Sequence, residues 1–237
     1  MSTAVITIEG VTKDYRQGSI DVHALRGVDL AIEAGEFTAI CGPSGSGKST
    51  LLNLVGALDS PTSGAITVDG KDLASMGRQQ RSRLRRDRIG FVFQAYNLMP
   101  VLTAYENAES VLALQGVPLA ERKTTVMKLL KDVGLEGLED RRPDQLSGGQ
   151  QQRVAIARAI ASNPAVVLAD EPTANVDSET AENLLSIMEK LNQERGVTFV
   201  FSTHDPRVMA RARRIVSLVD GKVASDERKA QTESTPE

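Results

Sequence analysis

Apolar and polar positions alternate with period two at the start of the chain. "AVITIEG" alternates, "VDLAIEAG" and "FTAICG" follow, and "AITVDG" runs into an Asp-Gly turn signal, so the N-terminal part reads as β structure. Within it, "KSTLLNLVGAL" carries helical spacing, and "RIGFVFQ" is a short apolar run that predicts a buried strand. From about Thr103 to Leu138 the pattern is helical, clearest in "AERKTTVMKLLKDVGL". Ser147 followed by Gln150 fits a capping box and predicts a helix that reaches about Ser162. A strand in "NPAVVLADEP" comes next, and then Ala181, Leu184, Leu185, Met188 and Leu191 form the apolar stripe of a long helix. "VTFVFSTHD" predicts a buried strand ending in polar residues, and "RIVSLVDGKVA" a hairpin closed on its Asp-Gly. From about Ser225 the chain is polar, which predicts a disordered tail over residues 225–237.

Strands that alternate with helices predict an α/β fold around a parallel sheet. An antiparallel β subdomain at the N-terminus and a helical subdomain inserted at about residues 95–160 attach to that core, within one domain over residues 1–224. The chain of 237 residues is 41% hydrophobic and 25% charged with a net charge of −3, ordinary values that give no reason to expect a nucleic-acid partner. Its single cysteine, Cys41, excludes an intrachain disulfide. No apolar run approaches the roughly 18 residues of a membrane span, and "MSTAVITIEG" lacks the basic and apolar regions of a signal peptide. The expectation is a cytoplasmic chain that meets a membrane only through a partner.

The chemistry begins at "GPSGSGKST". Gly42, Pro43, Ser44, Gly45, Ser46, Gly47, Lys48, Ser49 and Thr50 match the phosphate-loop pattern between a predicted strand and a predicted helix. Such a loop wraps a phosphate in backbone N–H groups, with Lys48 on the β/γ oxygens and the Ser49 hydroxyl available to Mg²⁺. "AVVLADE" places Asp170 and Glu171 at the carboxyl end of a strand, where parallel sheets bind ligands. Asp170 is expected to hold Mg²⁺ and Glu171 to polarise an attacking water. Ser147, Gly148, Gly149 and Gln150 open a helix with two glycines that leave its N–H groups uncovered, a ready anion site.

"LSGGQQQRVAIARAI" followed by "LADEPTANVD", downstream of a phosphate loop, resembles the nucleotide-binding subunit of ABC transporters over nearly the whole chain, to about Val223. The resemblance implies a phosphate-loop NTPase fold, ATP and Mg²⁺ as cofactors, and a homodimer that closes head to tail on ATP. In that dimer Ser147–Gln150 of one copy covers the γ-phosphate bound by the other. Gln94 resembles the family glutamine that meets Mg²⁺ and the attacking water, His204 the histidine that contacts the γ-phosphate, and Tyr15 the aromatic that stacks on adenine. "ANVD", Ala174 to Asp177, resembles the loop linking the two ATP sites, with Val176 where the family usually has Leu. "GALDSPTSG" and "RIGFVFQAYNLMPVLTAYENA" are most similar to the lipoprotein-release, macrolide-export and cell-division (FtsE-like) subgroup, whose permeases transmit force. A permease is then expected to contact about Gln94–Asn107, with the protein peripheral on the inner face of the cell membrane. A soluble ATPase of DNA repair or translation is the rival, weakened by the single ATPase domain and the lack of a coiled-coil insertion. A nucleotide-gated regulator without useful hydrolysis is disfavoured by Glu171 and His204.

Two features take a plainer reading. Arg78, Arg81, Arg83, Arg85, Arg86 and Arg88 predict a solvated helix face, with anionic lipid or a partner as alternatives. Cys41 predicts a buried small residue whose bulky alkylation would block ATP.

Overall fold

Two sheets and a layer of helices share their apolar faces in the computed structural model, which describes residues 4–18 and 20–229. Strands β1 (Ala4–Gln17), β2 (Ile20–Glu33), β4 (Ser63–Val68) and β5 (Lys71–Asp72) form an antiparallel sheet in the order β2-β1-β4-β5. The second sheet has the order β10-β9-β3-β8-β7-β6. It contains β3 (Phe37–Cys41), β6 (Ile89–Phe93), β7 (Val166–Asp170), β8 (Phe199–Ser202), β9 (Arg214–Val219) and β10 (Lys222–Arg228). All its pairs are parallel except the β9–β10 hairpin at one edge. The helices are α1 (Lys48–Val55), α2 (Arg78–Arg88), α3 (Ala104–Leu114), α4 (Leu119–Asp132), α5 (Gly148–Ala161), α6 (Ser178–Arg195) and α7 (Pro206–Arg211).

The parallel strands are buried on both faces. Val167, Ala169, Phe199 and Phe201 pack with α3 to α6, and Val166, Leu168 and Val200 with α1 and the antiparallel sheet. That double burial is why these strands read as unbroken apolar runs. Phe37, Phe199 and Phe201 meet ring to ring, with centroids 4.7 to 5.7 Å apart. Between β6 and β7 the chain is helical, through α3, α4 and α5, as the 3.6-residue pattern predicts.

Three expectations need correction. Ser225–Arg228 belong to β10 and not to a tail, because their charges are answered across the sheet. The Arg214 guanidinium donates to Asp226 at 2.7 and 2.8 Å, and Arg228 reaches Glu36 at 2.9 Å. The rest of the expected tail, residues 230–237, lies outside the described residues. The arginine-rich segment is a helix, but it is not simply solvated: Arg81 donates to the Leu73 carbonyl, Arg85 to that of Ala57, and Arg88 pairs with Asp69. Cys41 is half-buried, because it sits at the last position of β3 where the sheet opens.

Candidate active site

The loop from β3 to α1 walls a cavity of about 660 Å³ at the carboxyl ends of the parallel strands, with Gln94, Glu171 and His204 also lining it. Of the loop, Gly42, Pro43, Ser44, Gly45, Gly47, Lys48, Ser49 and Thr50 line the cavity, whereas Ser46 is buried behind it. Two glycines are structurally necessary. Gly42 has φ +149°, and a Cβ there would lie 2.0 Å from the Leu218 carbonyl oxygen. Gly47 has φ +102°, and its Cβ would lie 2.6 Å from the Ala24 oxygen. Lys48 folds back over the loop, its ammonium donating to the carbonyls of Gly42 at 2.8 Å and Pro43 at 3.0 Å. The buried Ser46 hydroxyl oxygen has no hydrogen-bond partner among the described residues.

Strand β7 delivers the carboxylates. The Ser49 hydroxyl donates to Asp170 Oδ1 at 3.1 Å. Glu171 follows with φ +46°, a left-handed conformation that costs a residue with a Cβ about 1 kcal/mol or more. Its carboxylate is held on both oxygens: the Thr203 hydroxyl donates to Oε2 at 3.1 Å, and His204 Nδ1 lies 2.7 Å from Oε1. The Glu171 side chain is 17% exposed and that of His204 75%, so the histidine is the solvent-facing partner of the pair. Thr203 in turn accepts from the Asp205 N–H at 3.0 Å, which directs its single proton to Glu171. Burial alone would raise the Asp205 pKa, but donors from Arg207 and Thr173 outweigh it and hold the carboxyl below the usual aspartate range.

Gln94 is tied to the "ANVD" loop. Its amide donates to Asn175 Oδ1 at 3.3 Å, and the Asn175 amide donates to the Gln94 carbonyl at 2.9 Å. Tyr96 reaches the same loop, donating to the Asn175 carbonyl at 3.1 Å. Val176 is half-buried and packs against the helical core.

Ser147, Gly148, Gly149 and Gln150 do not line the cavity. The capping box is present: the Ser147 hydroxyl accepts from the Gln150 N–H at 3.3 Å, and Gln150 Oε1 accepts from the Ser147 N–H at 2.9 Å. A Cβ at Gly149 would lie 2.3 Å from Thr180 Cγ2, and one at Gly148 2.7 Å from the Tyr96 hydroxyl. Gly149 is therefore required by packing within the chain, whereas at Gly148 only the end of the Tyr96 side chain would have to shift.

Tyr15 also lies outside the cavity lining, where the facing strand contributes Val22, His23 and Ala24 instead. Its hydroxyl donates to Asp59 at 3.0 Å, the Lys13 ammonium lies 4.7 Å from its ring centre, and burial raises its pKa. His23 carries no motif signal; Asn175 and Tyr96 fall inside segments the sequence marks without being singled out in them, and Thr203 could have been noticed as the neighbour of His204.

A model of the ABC transporter family matches residues 25–174. The chain belongs to the ABC transporter family. It is 48% identical to the lipoprotein-releasing system ATP-binding protein LolD of Anaeromyxobacter dehalogenans, over 95% of each chain. The macrolide export ATP-binding/permease protein MacB of Syntrophobacter fumaroxidans is 48% identical over 92% of this chain, which spans 31% of that protein. The structure of the ATP-binding cassette MJ0796, dimeric and bound to ADP and Pi after hydrolysis, superposes with a TM-score of 0.87 at 45% identity, covering 95% of this chain and 99% of that one. The chain is thus an ATPase cassette of a transporter, with the resemblance to the lipoprotein-release and macrolide-export subgroup borne out. Among the described residues no helix is long and apolar enough to cross a membrane.

Proposed function

We propose that this ATPase works as a head-to-tail homodimer and powers a force-transmitting permease of the lipoprotein-release or export kind. The observation that carries the reading is the separation of two phosphate-binding devices within one chain. The cavity that holds the phosphate loop, Gln94, Glu171 and His204 has no contribution from Ser147–Gln150. A second copy in head-to-tail order supplies it, and the MJ0796 cassette is dimeric in its ADP-bound form.

Within each site Lys48 leaves the loop carbonyls for the β/γ-phosphate oxygens, and the loop N–H groups hold the β-phosphate. Ser49, Asp170 and Gln94 are the Mg²⁺ residues. Two adjacent hard oxygens suit this ion, which takes its other ligands from phosphate and water, and which would neutralise charge on the phosphates when bound. Glu171 polarises the attacking water once His204 turns from it to the γ-phosphate. Tyr15 is the adenine platform, exposed near the end of β1. The permease docks against Gln94–Asn107 and α3, at the inner face of the membrane.

Glu171→Gln protein tests both halves. With ATP it is expected to double in mass by light scattering while phosphate release falls at least about a hundredfold. Wild-type turnover would reject Glu171 as the base, and a monomer at saturating ATP would reject the dimer. Gentle solubilisation of native membranes carrying this variant is expected to yield a permease with few spans and a large extracytoplasmic domain. Ribosomal or DNA-repair proteins in its place would overturn the transport reading.

A further inference from the structure

Tyr15 stands near the end of β1, 36% exposed and outside the cavity lining, yet its side chain is held from two directions. Its hydroxyl donates to Asp59 Oδ2 at 3.0 Å, and Thr50, which does line the cavity, meets the same hydroxyl. The Lys13 ammonium lies over the ring, 4.7 Å from its centre. A cation is drawn to the negative face of an aromatic ring, and one placed there closes that face to any other occupant. A flat ligand is left the opposite face to stack on.

Both anchors are themselves fixed. The Lys13 side chain is largely buried, and its ammonium donates to the Ser60 carbonyl at 2.8 Å and pairs with Asp59 at 2.9 Å. Asp59 Oδ1 accepts from the Ser60 N–H at 2.7 Å. Burial alone would raise the Asp59 pKa, but donors from Lys13, Ser60 and Tyr15 outweigh it and hold the carboxyl below the usual aspartate range. The acceptor for the Tyr15 hydroxyl therefore stays charged. The turn that carries Asp59 is stitched to β1: the Thr62 N–H donates to the Thr12 carbonyl, and the Thr62 hydroxyl accepts from the Asp14 N–H, both at 2.9 Å. That turn follows α1, the helix that opens on the phosphate loop. One short helix thus joins the loop that takes the phosphates to the carboxylate that fixes the ring.

We propose that Lys13 and Asp59 are positioning residues that clamp the Tyr15 ring, one face closed and the other presented to a nucleotide base, so that the preference for a nucleotide over its bare phosphates depends on them. The inference rests on the reading of Tyr15 as the adenine platform and adds what makes an exposed tyrosine fit for that task. A surface ring free to turn loses rotamer freedom when a base stacks on it; a clamped ring has already lost that freedom in folding. The cation and the carboxylate also neutralise each other, so the clamp brings no net charge to the base end of the site.

The test compares, by calorimetry on the full chain, the Kd for ADP with that for pyrophosphate, which offers the loop the same phosphates without a base. Lys13→Met and Asp59→Ala are each expected to weaken ADP about fivefold and to leave pyrophosphate within about twofold. Lys13→Arg and Asp59→Asn, which keep a cation over the ring and an acceptor for its hydroxyl, should bind ADP as the unaltered chain does. In a Tyr15→Ala background the two truncations should weaken ADP no further. Unchanged ADP affinity in both truncations, an equal loss for pyrophosphate, the same loss in the conservative variants, or a loss that persists without Tyr15 would overturn the clamp and leave the ring as a platform. Tyr15→Ala with unchanged ADP affinity would overturn the platform reading and the clamp with it.

Discussion

Helices α1 and α5 both begin at glycine-rich turns, yet the two turns solve different problems. At α1 the glycines serve conformation: Gly42, Gly45 and Gly47 all have positive φ, and no side chain caps the helix. The open end faces a cavity in its own chain, and Lys48 is held there by its own loop. At α5 neither Gly148 nor Gly149 has positive φ, and Ser147 and Gln150 cap the first turn. There the tight contact is at Gly149, where a Cβ would meet the Thr180 methyl. One turn opens on a cavity of its own chain; the other is a capped edge that lies outside that cavity.

Lys48→Ala should do most damage, lowering ATP affinity by about a hundredfold in a fluorescent-nucleotide titration while leaving the fold intact. Gly149→Ala should cost about 1 to 3 kcal/mol by overpacking against Thr180, seen as a lower Tm. Thr180→Ser removes the offending methyl and keeps the hydroxyl that bonds Asp177, so the double variant should regain stability. Phosphate release by that double variant sharpens the contrast. It should stay low if α5 must also meet a second chain, and full recovery would show that packing was the glycine's whole purpose. Ser147→Ala should cost about 1 kcal/mol in urea unfolding with monomer ATP affinity unchanged. A loss of affinity there would break the separation of the two turns. The smallest effect is acid-linked. Asp205 has a lowered pKa in the folded protein, so its contribution is complete above the unfolded value of about 3.9 and is lost as pH falls through the folded value. Asp205→Asn should flatten that part of the acid-unfolding curve.

What the amino-acid order disclosed follows where the determining contacts are local. Strands β3, β7 and β8 announce themselves through runs of adjacent buried residues, and the phosphate loop through fixed spacing. Ser225–Arg228 did not, because their strand is held by ion pairs to Glu36 and Arg214, remote along the chain or across the hairpin. His23 in the cavity was equally hidden. Bulges in the β1–β2 ladder decide which residues face the loop, and no periodicity reports them. The anchoring of Arg81 and Arg85 was hidden for the same reason, since their acceptors are backbone carbonyls that carry no residue identity. The tie between Gln94 and Asn175 depends on two loops meeting only after β6 and β7 have paired.

The floor of the phosphate loop comes from the far end of the chain. Gly42 lies against the Leu218 carbonyl, and the Gly221 N–H donates to the Ser46 carbonyl at 3.1 Å. Both supports lie beyond the residues 25–174 that mark the family. During synthesis the loop therefore emerges long before the hairpin that underpins it. The loop gains these supports late, with the last strands, and a fragment cut after α6 would carry the whole segment that marks the family without the Leu218 and Gly221 contacts of its loop.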